Sequence, residues 1–309
     1  MGGYRGWALH CLENRWTGDE LVGVRFYHPS SNVDSLIWIL YDTRSQWSYL
    51  MKYIIGLWFV FASSCFAAEK TSILLYDVTD DKHIYSQNIN VTRPIASITK
   101  LMTAMVTLDH DKNLTRQIML STKVRGSLPK QKYSRLDLLH AMLVKSDNSA
   151  AETLAEDYPG GRKAFIKTMN EHAKHMQLTS ARFVDPSGLS RQNVATASDV
   201  ATLFDIASGY WVIRDASILK QVVIDAKFKK KVRKIILNNT NKPILFEFDN
   251  VIVSKTGFTN PAGWCVGLVV VKDKKKYIVV VLGANSKKKR ADAIDEVLYN
   301  YVVDTDVVK

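Results

Sequence analysis

The hydrophobic period of this chain changes three times, and the order of the changes restricts the folds open to it. Residues 71–78 and 82–86 read as two strands around the turn Asp80-Asp81, the pattern of a hairpin. From Ser97 the period lengthens: Ile98, Leu101, Met102, Met105 and Leu108 fall at i, i+3, i+4, i+7 and i+10, one buried helix face. Further helices are expected after Ser134, whose Asp137 three residues on suggests a capping box, over 148–157 up to Pro159-Gly160-Gly161, over 163–177, and after Ser198 as a cap. From about 220 the pattern returns to strands, at 221–226, 232–237, 250–254, 264–271 and 277–283, and 288–303 closes as an amphipathic helix. Strands, a helical block, strands and a helix define an α/β chain of the α+β kind. They predict one antiparallel sheet built from both chain ends, with an inserted helical lobe.

The first 67 residues read differently. Residues 1–50 carry four of the seven Trp, no Lys and no sustained period. Met51-Lys52 opens an apolar run over 53–66, followed by the small residues Ala67 and Ala68, which is the layout of a cleavable signal peptide. The run is too short for a comfortable span of about 20 apolar residues. The expected organisation is an upstream extension over 1–50, a signal peptide over 51–67, and one domain over 68–309. The formal net charge is +12. Acidic and basic groups cancel within 1–67, so the remainder keeps that surplus, and only Cys265 remains, without a disulfide partner.

Ser97-Ile98-Thr99-Lys100 is a Ser-x-x-Lys at the start of the most periodic helix. Positions i and i+3 share a face, so hydroxyl and amine can meet, at the positive end of the helix dipole. A lysine in a dry pocket loses its proton and serves as a general base. The spacing alone is weak, because it recurs at Ser127/Lys130, Ser217/Lys220 and Ser286/Lys289. Order strengthens it. Ser146-Asp147-Asn148 follows in a helix-to-helix connection, and Lys255-Thr256-Gly257 follows about a hundred residues later at what reads as the end of an apolar strand. This trio in this order marks penicillin-binding proteins and class A β-lactamases.

The chain resembles the low-molecular-mass penicillin-binding proteins, the serine D-alanyl-D-alanine carboxypeptidases and endopeptidases. The resemblance extends over Arg93 to Met105, Tyr158-Pro159-Gly160-Gly161, Arg182 to Ser190, and Lys255 to Asn260 with Ala262-Gly263, and so over nearly all of 70–300. In detail it is most similar to the endopeptidase branch, the penicillin-binding protein seven/eight type. It implies a β-lactamase/transpeptidase-like fold and a periplasmic hydrolase of peptidoglycan stem peptides and cross-links, with β-lactam antibiotics as covalent inhibitors and no cofactor. The larger carboxypeptidases of the family add a β-rich domain and an amphipathic anchor. Only about 50 residues follow Lys255-Thr256-Gly257 here, so at most loose membrane association is expected.

The resemblance also implies roles. Ser97 attacks the D-Ala carbonyl and Lys100 takes its proton. Ser146 relays a proton to the leaving amine, tuned by Lys255. Asn148 bonds the substrate amide and positions Lys100. Lys255 and Thr256 engage a substrate carboxylate, Gly257 makes room, and the backbone N–H groups of Ser97 and Phe258 form the oxyanion hole. A β-lactamase shares the trio but needs a deacylating base, and no Glu after Ser146 recommends itself. A non-catalytic peptidoglycan-binding protein has no need of the intact set. His172 and His175 lack partners for a metal, and none is expected. Cys265 reads as a buried small hydrophobe. The basic runs at 227–234, 272–276 and 287–290 read as solvated turns and helix starts. With no stacking aromatics between them they do not suggest nucleic acid, and a weak attraction to an anionic wall or membrane surface fits better.

Overall fold

The computed structural model describes residues 10–14, 21–26, 35–40, 71–228 and 231–303. The chain divides into two units, Met1–Ala68 and Glu69–Lys309. In the first, β1 (His10–Asn14), β2 (Leu21–Phe26) and β3 (Ser35–Leu40) form an antiparallel sheet in that order, where the sequence offered no sustained period. The leader reading over 51–67 lies outside the described residues.

In the second unit, β4 (Ser72–Asp77) and β5 (Lys82–Gln87) make the expected hairpin. After β6 (Arg93–Pro94) come a short 3-10 turn, Ala96–Ile98, and helix α1 (Thr99–His110). The helical lobe continues with β7 (Gln117–Met119), β8 (Lys132–Ser134), α2 (Arg135–Val144), α3 (Asn148–Glu156) and α4 (Gly161–His175). Next come β9 (Val194–Ala195), α5 (Ala197–Ala207), α6 (Trp211–Ile218), β10 (Gln221–Phe228), β11 (Lys231–Asn238) and α7 (Lys242–Glu247). The chain returns as β12 (Val251–Thr259), β13 (Gly263–Lys272), β14 (Lys275–Ala284) and α8 (Lys287–Leu298).

The main sheet is antiparallel, in the order β12-β13-β14-β4-β5, so the last strand pairs with the first of this unit, as expected of a sheet built from both ends. Its central strands are apolar at nearly every position because both faces are covered. Alternate residues divide cleanly. Ile278, Val280 and Leu282 face the helical lobe, while Val279 and Val281 face α7 and α8, all fully buried. Burial of each such side chain contributes about 1.5–3 kcal/mol, so these strands anchor the fold. Gly267 of β13 lets α5 sit close, since a Cβ there would stand 2.2 Å from the Phe204 ring.

The Ser134–Asp137 capping box is present. The α5 cap is Thr196 rather than Ser198. Thr196 and Asp199 form a reciprocal box, and the Ser198 hydroxyl turns to the Ile89 carbonyl. Both residues can cap, and the acidic residue three positions on decides for Thr196. The 221–237 strands do not join the main sheet but pair only with each other. The Lys255-Thr256-Gly257 strand does not end there but runs on to Thr259. No helix among the described residues is long and apolar enough to cross a membrane.

Candidate active site

Three segments meet where α1 begins. Ser97 lies in the 3-10 turn just before the helix, entered through Ala96 at φ 47°, a left-handed conformation that few side chains favour. Two glycines make this turn possible. A Cβ on Gly188 (φ +80°) would stand 1.9 Å from the Ala96 carbonyl oxygen, and one on Gly257 would stand 2.9 Å from the Ile95 carbonyl oxygen and 3.0 Å from the Ser97 nitrogen. Strand β12, an edge strand, therefore lies directly against the backbone N–H of Ser97.

Lys100 is fully buried. Its Nζ donates to Asn148 Oδ1 at 2.8 Å and to the Ser187 carbonyl, and it lies 2.8 Å from Ser97 Oγ. Burial lowers its pKa to about 7, against the opposing pull of the Asp185, Asp147 and Glu152 carboxylates. A neutral amine has two N–H donors and one lone pair. Two of its three neighbours, Asn148 Oδ1 and Ser187 O, can only accept. With the N–H groups given to those two, the lone pair points at the Ser97 hydroxyl.

Lys255 is also buried, and its Nζ donates to Ser146 Oγ and to the Thr256 carbonyl, each at 3.0 Å. Burial pushes its pKa well down, and the charges of Lys100 and Arg290 push the same way. Ser146 itself is left-handed, at φ 62°. Its neighbour Asp147 caps α3 through Ala150 N and accepts from Ser127 N, fixing the loop that presents Ser146 and Asn148. The Thr256 hydroxyl lies 2.6 Å from that of Thr240. Phe258 is half exposed, its ring 4.3 Å from that of Trp264.

The structure thus brings together Ser97, Lys100, Ser146, Asn148, Lys255, Thr256 and Gly257, with Phe258 next on the strand. The other three Ser-x-x-Lys pairs have local structural uses. Ser286 caps α8, the Ser217 hydroxyl accepts from Ser254 N, and Ser127 N bonds Asp147. Sequence reasoning assigned no part to Ser187, whose contribution is a carbonyl, nor to the residues that hold it. Asp185 accepts from the N–H groups of Ser187, Gly188 and Ser190. Asn193 ties that loop to Thr99 and accepts from Val184 N. Glu152, which follows Ser146 in α3, is engaged by Arg162 Nε at 2.7 Å.

His172 bonds Asp109 and the Thr168 carbonyl, and no group of three or more His, Cys, Asp or Glu that could hold a metal ion occurs among the described residues. Cys265 is buried beneath the site, its thiol pKa raised by burial to about 11.

The model of the D-alanyl-D-alanine carboxypeptidase family matches residues 61–286. A D-alanyl-D-alanine endopeptidase of Escherichia coli is 38% identical over 224 residues, 70% of this chain and 72% of its own length. One of Haemophilus influenzae is 34% identical over 223 residues, 70% of this chain and 75% of its own length. Penicillin-binding protein D2 of Listeria monocytogenes, solved with ampicillin bound, matches with a TM-score of 0.66 at 29% identity, over 74% of this chain and 95% of that one.

Proposed function

The chain belongs to the D-alanyl-D-alanine carboxypeptidase family and is a serine DD-peptidase, and from that premise we propose that Ser97 is its nucleophile and the cross-links of peptidoglycan its substrate. The single observation that carries the reading is the Lys100 amine, dry, shifted to about 7 and aimed at Ser97 Oγ by two acceptors.

The steps follow from these positions. Lys100 takes the Ser97 proton as Oγ attacks the D-alanyl carbonyl. The tetrahedral oxyanion meets the backbone N–H groups of Ser97 and Phe258. The C–N bond then breaks, the proton held by Lys100 passes by way of Ser146 to the leaving amine, and an acyl-Ser97 ester and a neutral Lys100 remain. Water, deprotonated in turn by Lys100, hydrolyses the ester and restores both groups. Lys255 is enclosed, so its first task is to hold and polarise Ser146. Thr256, paired through its hydroxyl with Thr240, is the partner for a substrate carboxylate, and Gly257 lets substrate lie along the edge of β12.

Cleavage of cross-links rather than removal of terminal D-Ala is favoured by likeness to the endopeptidases of E. coli and H. influenzae. A periplasmic location fits the leader pattern of 51–67 and the wall substrate. Because penicillin-binding protein D2 of Listeria monocytogenes is solved with ampicillin and with cefotaxime bound, β-lactams are the natural probes. A fluorescent penicillin should label Ser97 stably, and Ser97→Ala should remove the label. Digestion of cross-linked dimers against monomeric pentapeptides then tests the bond cleaved. A label on another residue, or equal cleavage by the Ser97→Ala variant, would refute the assignment. Rapid turnover of the penicillin would instead mark a β-lactamase.

A further inference from the structure

The β10–β11 ribbon stands apart from the main sheet, with no third strand among the described residues. Its inner face is buried through Ile224, Ala226 and Leu237. Its outer face exposes Val223 (47%), Val232 (61%) and Ile236 (59%). Single exposed aliphatics are ordinary on a surface. Here they fall in register on one face. Val223 pairs with Ile236, Asp225 with Lys234, and Lys227 with Val232. At the ribbon base Phe246 is 58% exposed, with the Lys220 and Lys242 ammonium groups 4.2 and 5.5 Å from its ring centre. From Lys220 through Lys242, both included, the described residues carry six cations and one carboxylate, Asp225, while Glu247 and Asp249 follow Phe246.

We propose that this face docks on an anionic lipid bilayer, the aliphatic side chains entering the headgroup boundary and the lysines meeting lipid phosphates. A hydrophilic anionic polymer would answer the charges but gives Val223, Val232, Ile236 and Phe246 nothing to bury against. A bilayer surface answers both. The ribbon also adjoins the site. The chain leaving β11 reaches Thr240, bonded to Thr256, and Gln131, just ahead of β8, holds the β10 backbone at Asp225 and Lys227. Docking there would set the cleft at a fixed attitude to the membrane.

The test is sedimentation of the full chain with vesicles of phosphatidylglycerol and phosphatidylcholine, against phosphatidylcholine alone. The apolar run at 53–66, with Lys52 ahead of it, is common to wild type and all variants, so differences among them report on the ribbon. Two neutralisations, Lys227→Gln with Lys234→Gln, should weaken partition to the anionic vesicles about thirty-fold. Val232→Ser with Ile236→Ser should weaken it as well, and both double variants should still label with penicillin, which checks the fold independently of docking. Equal sedimentation on the two vesicle types overturns the proposal. So do variants that sediment like wild type, or a loss confined to purified peptidoglycan.

Discussion

Gly188 and Ala96 meet through their backbones, 92 residues apart in sequence, closely enough that a Cβ on Gly188 would stand 1.9 Å from the Ala96 carbonyl oxygen. Gly188→Ala should therefore destabilise by about 2–4 kcal/mol and also displace the Ser97 turn. Gly267→Ala is the control. It collides with the Phe204 ring instead, and should cost about 1–3 kcal/mol while the folded fraction labels at the wild-type rate. Denaturant midpoints and penicillin-labelling rates on both variants check the contrast.

The low pKa of Lys100 fixes the pH profile. In the proposed mechanism the neutral amine is the base, and that form predominates above about pH 7. Acylation should rise about tenfold per pH unit below 7 and level off above 8. Lys100→Arg should be silent throughout, because a guanidinium keeps its proton. A rise centred near pH 10 would mean that the amine is protonated at rest.

Asn148→Ala removes one of the two acceptors that orient Lys100. Acylation should fall about ten- to hundredfold through misdirection of the amine. Stability should change by less than about 1.5 kcal/mol, since one hydrogen bond is lost. Single-turnover labelling and thermal melts separate the two effects.

Asp185 gathers the loop that supplies the Ser187 carbonyl. Asp185→Ala leaves several buried N–H groups without their acceptor and should cost about 2–4 kcal/mol. Asp185→Asn keeps an oxygen there and should cost less. Melting temperatures order the three proteins, and labelling rates should follow the same order.

Much of this was legible in the sequence, for identifiable reasons. The core strands show as apolar runs because the sheet is covered on both faces, and α1 shows because its buried positions repeat at helical spacing. The cluster around Ser97 was readable because its chemistry resides in side chains of fixed type and order. What escaped has no such mark. Ser187 acts through a carbonyl, which any residue has. Helices α6 and α7, of 8 and 6 residues, are too short to display a period. Isolation of the β10–β11 ribbon from the sheet is a matter of pairing, which strand propensity does not encode. Continuation of β12 past Gly257 was missed because Phe258 and Thr259 follow a glycine, which reads as a strand end.

The pairing of β14 with β4 has a temporal consequence. The turn that carries Ser97 is synthesised early, but the strand that lies beside it, and the lysine that holds Ser146, arrive more than 150 residues later. Until they do, β4 has only its hairpin partner and the cleft has one wall. On the proposed mechanism a growing chain is therefore blind to β-lactams, and the first appearance of covalent label during synthesis would time the closing of the sheet.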